Sequence, residues 1–286
     1  MFHLTRRCCT GRMTTHERVL VTGGTGMTGR RVTDLLKQRG VDTRVGSRSG
    51  SPRFDWHDTG TWDPVLEGVT GVYLCYHPDL AMPGAIEAVS GFAARAAERG
   101  VRRAVLLSGR GEDGALAAER AVRDAFPDTV LARSSFFAQN YSESFFTEQV
   151  RAGATFMPVP DVAEPFIDLD DFAAVAVTAL TEDGHAGRTY DLTGPRSLTF
   201  TEAAAVLSEA TGRTVEHRTI APGQYIEGAV AQGLSDELVR GLVEIFQQTL
   251  DGRNTEPTDD VARVLGRPAR DFADYARRAA RTGAWD

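Results

Sequence analysis

The chain reads as an α/β protein on a doubly wound parallel sheet, with a smaller, mainly helical part toward its C-terminus. Three observations carry this reading. Apolar, strand-like runs alternate with amphipathic helix patterns through the first half, as the crossovers of a parallel sheet require. The first run, Arg18–Thr22, leads into glycines 23, 26 and 29, spaced G-x-x-G-x-x-G, and a helix pattern begins at once. Beyond about Ser134 the alternation fades and helical periodicity dominates. At 286 residues, 42% hydrophobic and 25% charged, the chain can form one large domain, or a nucleotide-binding domain with an appendage.

The elements follow in order. After strand 18–22, the first helix carries Val32, Leu35 and Leu36 on one face and stops at Gly40. A short strand over 42–46 leads into the polar loop SRSGSPR, and 53–55 suggests a further strand at the sheet edge. Next come an apolar strand over 71–76 and a helix over 83–99 with Ile86, Val89 and Phe92 in register. A strand at 102–107, a helix at 115–126 and a strand at 129–133 complete six strands. In the second half, FIDLDDFAAVAVTAL is a strand running into a helix, and GRTYDL is a strand. A helix follows with a capping box, Thr199 and Glu202, and a stop at Gly212. Helices are expected at 223–232, 235–250, 259–265 and 270–281. The expected organisation is a leader at 1–15, a dinucleotide-binding Rossmann domain at 16–153 and a substrate-binding part at 154–286, with contributions from 134–150.

The glycine spacing brings backbone N–H groups and a helix N-terminus up to a dinucleotide's phosphates. Gly23, Thr25, Gly26, Met27, Thr28 and Gly29 are therefore the expected phosphate-binding residues. A chain that prefers NAD places an acid at the end of its second strand, to hold the ribose 2′-hydroxyl. Here the chain offers Gly46, Ser47 and Arg48 instead, and a guanidinium beside a hydroxyl suits the extra phosphate of NADP. Arg30 is placed either to approach that phosphate or to stand as a solvated helix residue. Asp55 is read as a partner of the adenine amino group or as a turn aspartate.

Composition excludes several classes. A formal charge of −7 argues against nucleic acid or an anionic membrane as the main partner. No apolar stretch approaches the roughly 20 residues that span a bilayer. The three cysteines, Cys8, Cys9 and Cys75, form no disulfide framework, and no metal-ligand spacing appears with the six histidines; the expected compartment is the reducing cytoplasm. Residues 1–12 are basic and lack the apolar stretch of a secretory signal. They are read as a disordered leader or as the product of an upstream start ahead of Met13.

The ordered set TGGTGMTGRR, FDWHD, VYLCYHPD, AVLLSGRG, RSSFFAQN and PFIDLDDFAAVAV resembles the NmrA-like branch of the atypical short-chain dehydrogenase/reductases. The resemblance runs from Val19 to Asp286 and comes near ergot-alkaloid dehydrogenase-like proteins and NmrA-type quinone reductases. It implies that the loop of Tyr76 and His77 passes under the adenosine and nicotinamide ribose. It also implies that the chain after strand 129–133 builds the pocket facing the nicotinamide. One departure stands out. The wider superfamily uses Tyr-x-x-x-Lys as its acid–base pair, yet Lys37 is the only lysine and no tyrosine stands four residues before a lysine.

Candidate catalytic residues are accordingly Ser108, at the superfamily's serine position, His77 and Tyr141. Ser108 either bonds a substrate carbonyl or closes the strand end. Phe137, Gln139, Asn140 and Tyr141 are expected to line the substrate pocket, with Phe136 as core. Asp168 and Asp171 are read as the N-cap and first-turn partner of a helix. The expected function is NADPH-dependent reduction of a small hydrophobic or aromatic molecule: an imine or iminium, a quinone or an enone. Two other readings stay open: a non-catalytic NADP(H) sensor, and a non-redox isomerase or cyclase on the same fold. The expected partners are a small-molecule substrate and, at most, a second copy of the chain.

Overall fold

The structure, a computed structural model, describes residues 17–286; the leader, Cys8, Cys9 and Met13 lie outside the described residues. The elements begin β1 (Arg18–Thr22), α1 (Met27–Gln38), β2 (Asp42–Gly46), α2 (Trp62–Leu66), β3 (Gly71–Leu74) and α3 (Ala85–Glu98). They continue with β4 (Arg103–Gly109), α4 (Asp113–Ala125), β5 (Val130–Ser134), α5 (Asn140–Glu143), α6 (Thr147–Arg151), β6 (Ala154–Met157) and β7 (Ala163–Glu164). The second half adds α7 (Leu169–Thr181), β8 (Thr189–Leu192), β9 (Leu198–Thr199), α8 (Phe200–Thr211) and β10 (Glu216–Thr219). Four helices finish the chain: α9 (Pro222–Ala231), α10 (Asp236–Thr249), α11 (Asp260–Leu265) and α12 (Phe272–Arg281).

Six parallel strands form the central sheet in the order β2-β1-β3-β4-β5-β8. Successive residues of a strand face opposite sides, and the two cores follow that alternation. Val19, Val21, Tyr73 and Val105 pack with Val32 and Leu36 of α1 and Phe172 and Leu180 of α7. Leu20, Val72, Leu74 and Leu106 pack on the other face with Val65 of α2, Phe92 of α3 and Val122 of α4. Both faces are therefore covered by helices, as a parallel sheet demands.

The strand count agrees with the sequence, but the membership of the sheet does not. Residues 53–55 form no strand. Phe54 N–H donates to Ser47 O at 2.9 Å, closing a loop, and Asp55 uses its own oxygens on neighbouring N–H groups. The sixth strand is β8, which follows α7 and pairs with β5 from Leu131–Thr189 to Ser134–Leu192. The sheet thus draws on chain beyond residue 153.

A third core joins the remaining elements, with Tyr141, Phe146, Phe166, Phe200, Phe272 and Trp285 among its buried aromatics. The capping box at Thr199 and Glu202 and the left-handed Gly212 stand as the sequence reads them. No helix among the described residues is long and apolar enough to cross a membrane.

Candidate active site

A cavity of about 980 Å³ opens along the C-terminal ends of β1–β5, the edge where doubly wound sheets seat ligands. One end lies on the glycine loop. The other is lined by Phe136 and Phe137 after β5, and by Leu242, Ile245 and Phe246 of α10.

At the loop end each glycine has a distinct physical reason. Gly23 adopts a left-handed φ of +61°, which side chains rarely tolerate. Gly26 is the N-cap of α1 and supplies no side-chain cap, and the first turn holds no acid. The helix therefore presents uncompensated N–H groups and its positive dipole end to the cavity. Gly29 lets α1 sit directly on the loop: a Cβ there would lie 2.7 Å from Gly24 Cα. Thr25, Gly26, Met27 and Thr28 line the cavity. Thr28 is also buried, with its hydroxyl 3.7 Å from Cys75 Sγ.

Ser47 and Arg48 border the next stretch. Arg48 is exposed and, among the described residues, has neither an ion-pair nor a hydrogen-bond partner, so its guanidinium is available to a ligand. Arg30 is committed elsewhere: it pairs with Glu143, which Arg31 also holds at 2.6 Å. The phosphate reading of Arg30 is thereby corrected. Asp55 lines the cavity, but its carboxylate accepts from the His57 N–H at 3.1 Å and from Arg53 at 2.8 Å, the geometry of a turn aspartate. Tyr76 is buried against Trp56, ring centroids 5.6 Å apart, while His77 is exposed at the rim.

The sheet edge carries a buried ion network. Ser108 Oγ donates to Glu119 at 2.6 Å, and Arg133 grips the same carboxylate with contacts of 2.9 and 2.7 Å. Glu119 is 2% exposed. The Ser108 hydroxyl proton is thus directed into the protein although the residue borders the cavity; the arrangement is that of a strand-end clamp.

Of the residues after β5, Phe136, Phe137 and Asn140 line the cavity, together with Phe145. Phe136 therefore faces the pocket as well as Phe146, Phe166 and Phe200. Gln139 and Tyr141 do not reach it, and their expected substrate contacts are corrected. Gln139 accepts from Leu169 N–H and donates to Asp168, each at 2.9 Å, fixing the start of α7. Tyr141 is fully buried in the third core, stacked on Phe146 at 4.7 Å, and its hydroxyl has no partner. Burial pushes its phenol well above the usual range, so it has neither the access nor the acidity of a proton donor. Asp168 caps α7 through the Asp170 N–H, and buried Asp171 accepts from Arg267 at 2.7 Å; both are structural.

Three acids on the cavity wall escape sequence reasoning: Asp79, Glu112 and Glu164. Burial, reinforced by the facing Asp79 carboxylate, pushes Glu112 up to about 9. Burial pushes Glu164 up to about 7, against the opposing pull of the Phe136 N–H and the Arg110 charge. Glu164 lies in the short strand β7, 30 residues beyond Ser134 at the end of β5, and the sequence carries no motif that marks it.

No family model matches the chain. It is 30% identical over 279 residues to the uncharacterized oxidoreductase YesF of Bacillus subtilis, covering 93% of this chain and 96% of that one. It is likewise 30% identical over 281 residues to agroclavine dehydrogenase of Claviceps fusiformis, covering 90% and 95%. In fold it is similar to the NADPH-dependent quinone oxidoreductase QOR2 of Escherichia coli in complex with NADPH. That likeness has a TM-score of 0.76 at 19% identity and covers 91% of this chain and 99% of that one. The sheet order, the glycine loop and these full-length likenesses agree: the chain belongs to the atypical short-chain dehydrogenase/reductases.

Proposed function

We propose that the chain is an NADPH-dependent reductase of a flat, hydrophobic small molecule. The observation that carries this reading is the continuity of the cavity, from an uncapped helix N-terminus to an open, phenylalanine-lined end. A pure sensor of the cofactor has no need of that open end.

In this reading residues 16–153 hold the dinucleotide, and 134–150 with 154–286 form the substrate wall. Gly23, Thr25, Gly26 and Met27 hold the pyrophosphate on the N–H groups that α1 leaves free. Arg48, with Ser47, takes the 2′-phosphate, and Tyr76 packs under the adenosine side. Bound there, the cofactor supplies a hydride. Phe136 and Phe137 offer aromatic faces to a flat acceptor, and the Asn140 amide orients its polar edge. Helix α10 covers the space with Leu242, Ile245 and Phe246, and the exclusion of water strengthens every polar contact inside. The cytoplasm is the compartment that this reading implies.

The test is NADPH consumption, followed by absorbance, with quinones, enones, imines and cationic dyes as acceptors. Oxidation of NADPH dependent on one of them is expected. Tight NADPH binding without consumption across the set would overturn the reading in favour of a sensor. Product formation with the cofactor unchanged would move it to the non-redox alternative.

A further inference from the structure

An acceptor such as a quinone or an enone needs a proton as well as a hydride, and the superfamily's tyrosine is missing. Four of the cavity's hydroxyls are committed elsewhere. Ser134 and Ser135 donate to backbone carbonyls at 2.8 and 2.6 Å, Thr249 donates to Ile245 O at 2.8 Å, and Ser108 donates to Glu119. Glu112 holds its proton against Asp79.

Glu164 is arranged differently. The residue is 3% exposed and lines the cavity. Its Oε1 accepts from the Phe136 N–H at 3.2 Å, two residues past the end of β5. Oε2 has no hydrogen-bond partner among the described residues, and no cation stands within ion-pair distance. A neutral carboxyl held in this way carries its proton on Oε2, because Oε1 is occupied as an acceptor.

We propose that Glu164 is the proton donor of the reduction, passing the Oε2 proton to the acceptor as the hydride arrives. The proposal rests on the reductase reading above. The acceptor gains a hydride from NADPH and a proton from Glu164, NADP⁺ leaves, and the carboxylate regains a proton from water. Arg110 is the charged group that acts on this carboxyl, and its own guanidinium is bonded to Asn254 O and Glu256 O. Burial keeps the acid neutral up to about pH 7, close to working pH, as a general acid requires. The donor is lost as pH rises through that value.

Two acceptors decide the matter on the full chain with NADPH. A naphthoquinone takes a hydride and a proton; a cationic triphenylmethane dye takes a hydride alone and becomes neutral. Glu164→Gln keeps an acceptor for the Phe136 N–H but has no acidic proton. It should cut kcat/KM for the quinone about 100-fold and abolish its fall with pH around 7, with Glu164→Asp restoring part of the rate. The dye reaction should stay within about twofold, which also shows that the variant is folded. Equal loss on both acceptors, or selective loss of the dye, would overturn the proposal, the latter making Glu164 a cation anchor. If the wild-type chain reduces neither acceptor, nor any of the enones and imines above, the reductase reading itself falls. Difference infrared spectra without substrate give a second readout: a protonated carboxyl that titrates out around pH 7 in the wild type and is missing from Glu164→Gln. An identical pair of titrations would equally overturn the proposal.

Discussion

Replacing Gly29 by alanine tests the cofactor cradle most directly. The new Cβ would stand 2.7 Å from both Gly23 C and Gly24 Cα. Non-bonded carbons rest about 3.5–4.0 Å apart, so loop and helix must separate by ~1 Å. The obstacle is backbone on both sides, so no side chain can turn away to make room. Overpacking of this kind costs about 1–3 kcal/mol, a fall in Tm of roughly 2–10 °C for a chain of this size. The same ~1 Å shift moves the free N–H groups of α1 away from a bound phosphate; weakening one or two charge-assisted hydrogen bonds raises Kd for NADPH about 10–100-fold. Gly223→Ala is the matched control, because a Cβ there meets nothing within 4 Å. Circular dichroism gives Tm and quenching of tryptophan fluorescence gives Kd. If Gly29→Ala behaved like Gly223→Ala in both, the argument from close packing would be wrong.

Arg48→Ala should weaken NADPH about 10–100-fold and leave NADH unchanged; equal losses for the two, by the same fluorescence titration, would remove Arg48 from the 2′-phosphate. Tyr141→Phe deletes a buried hydroxyl with no partner, so stability should hold or rise by up to about 1 kcal/mol with reductase rate unchanged; a tenfold loss of rate would contradict its placement outside the cavity. Glu119→Ala leaves Arg133 and Ser108 without their shared carboxylate and should cost about 3–5 kcal/mol in a urea melt, against little effect if the network is ornamental. Glu164 has a folded value raised from 4.5 to about 7, so its contribution is complete below pH 4.5 and lost as pH climbs to 7. The loss amounts to roughly 3 kcal/mol, and melts of Glu164→Gln should lack that part of the slope.

The Rossmann half was legible because its signals are local. Period-two runs, the glycine spacing and the absence of an acid after β2 each sit within a few residues and report backbone requirements directly. Asp55 and 53–55 misled as a strand because three apolar-flanked residues look alike whether they pair or turn; the decision fell to Asp55's own carboxylate. The substrate wall was poorly legible for a related reason. In FFAQNY, neighbouring residues point variously to the cavity, to α7 or into the third core, and nothing in their identities says which. Gln139 and Tyr141 look like ligands on paper, yet their partners, Asp168 and Phe146, are supplied by the fold. Glu164 is the converse case: its meaning comes from a hydrogen bond to Phe136, 28 residues earlier in the chain.

The late arrival of β8 bears on how the molecule is made. As the chain leaves the ribosome, β5 emerges with its outer hydrogen-bonding groups bare, and they stay so until residues 189–192 have been synthesised. An unpaired edge of this sort invites pairing with other chains. Fragments cut near residue 153 should inherit the same defect permanently and collect in the insoluble fraction, and adding residues through Leu192 should bring them back into solution.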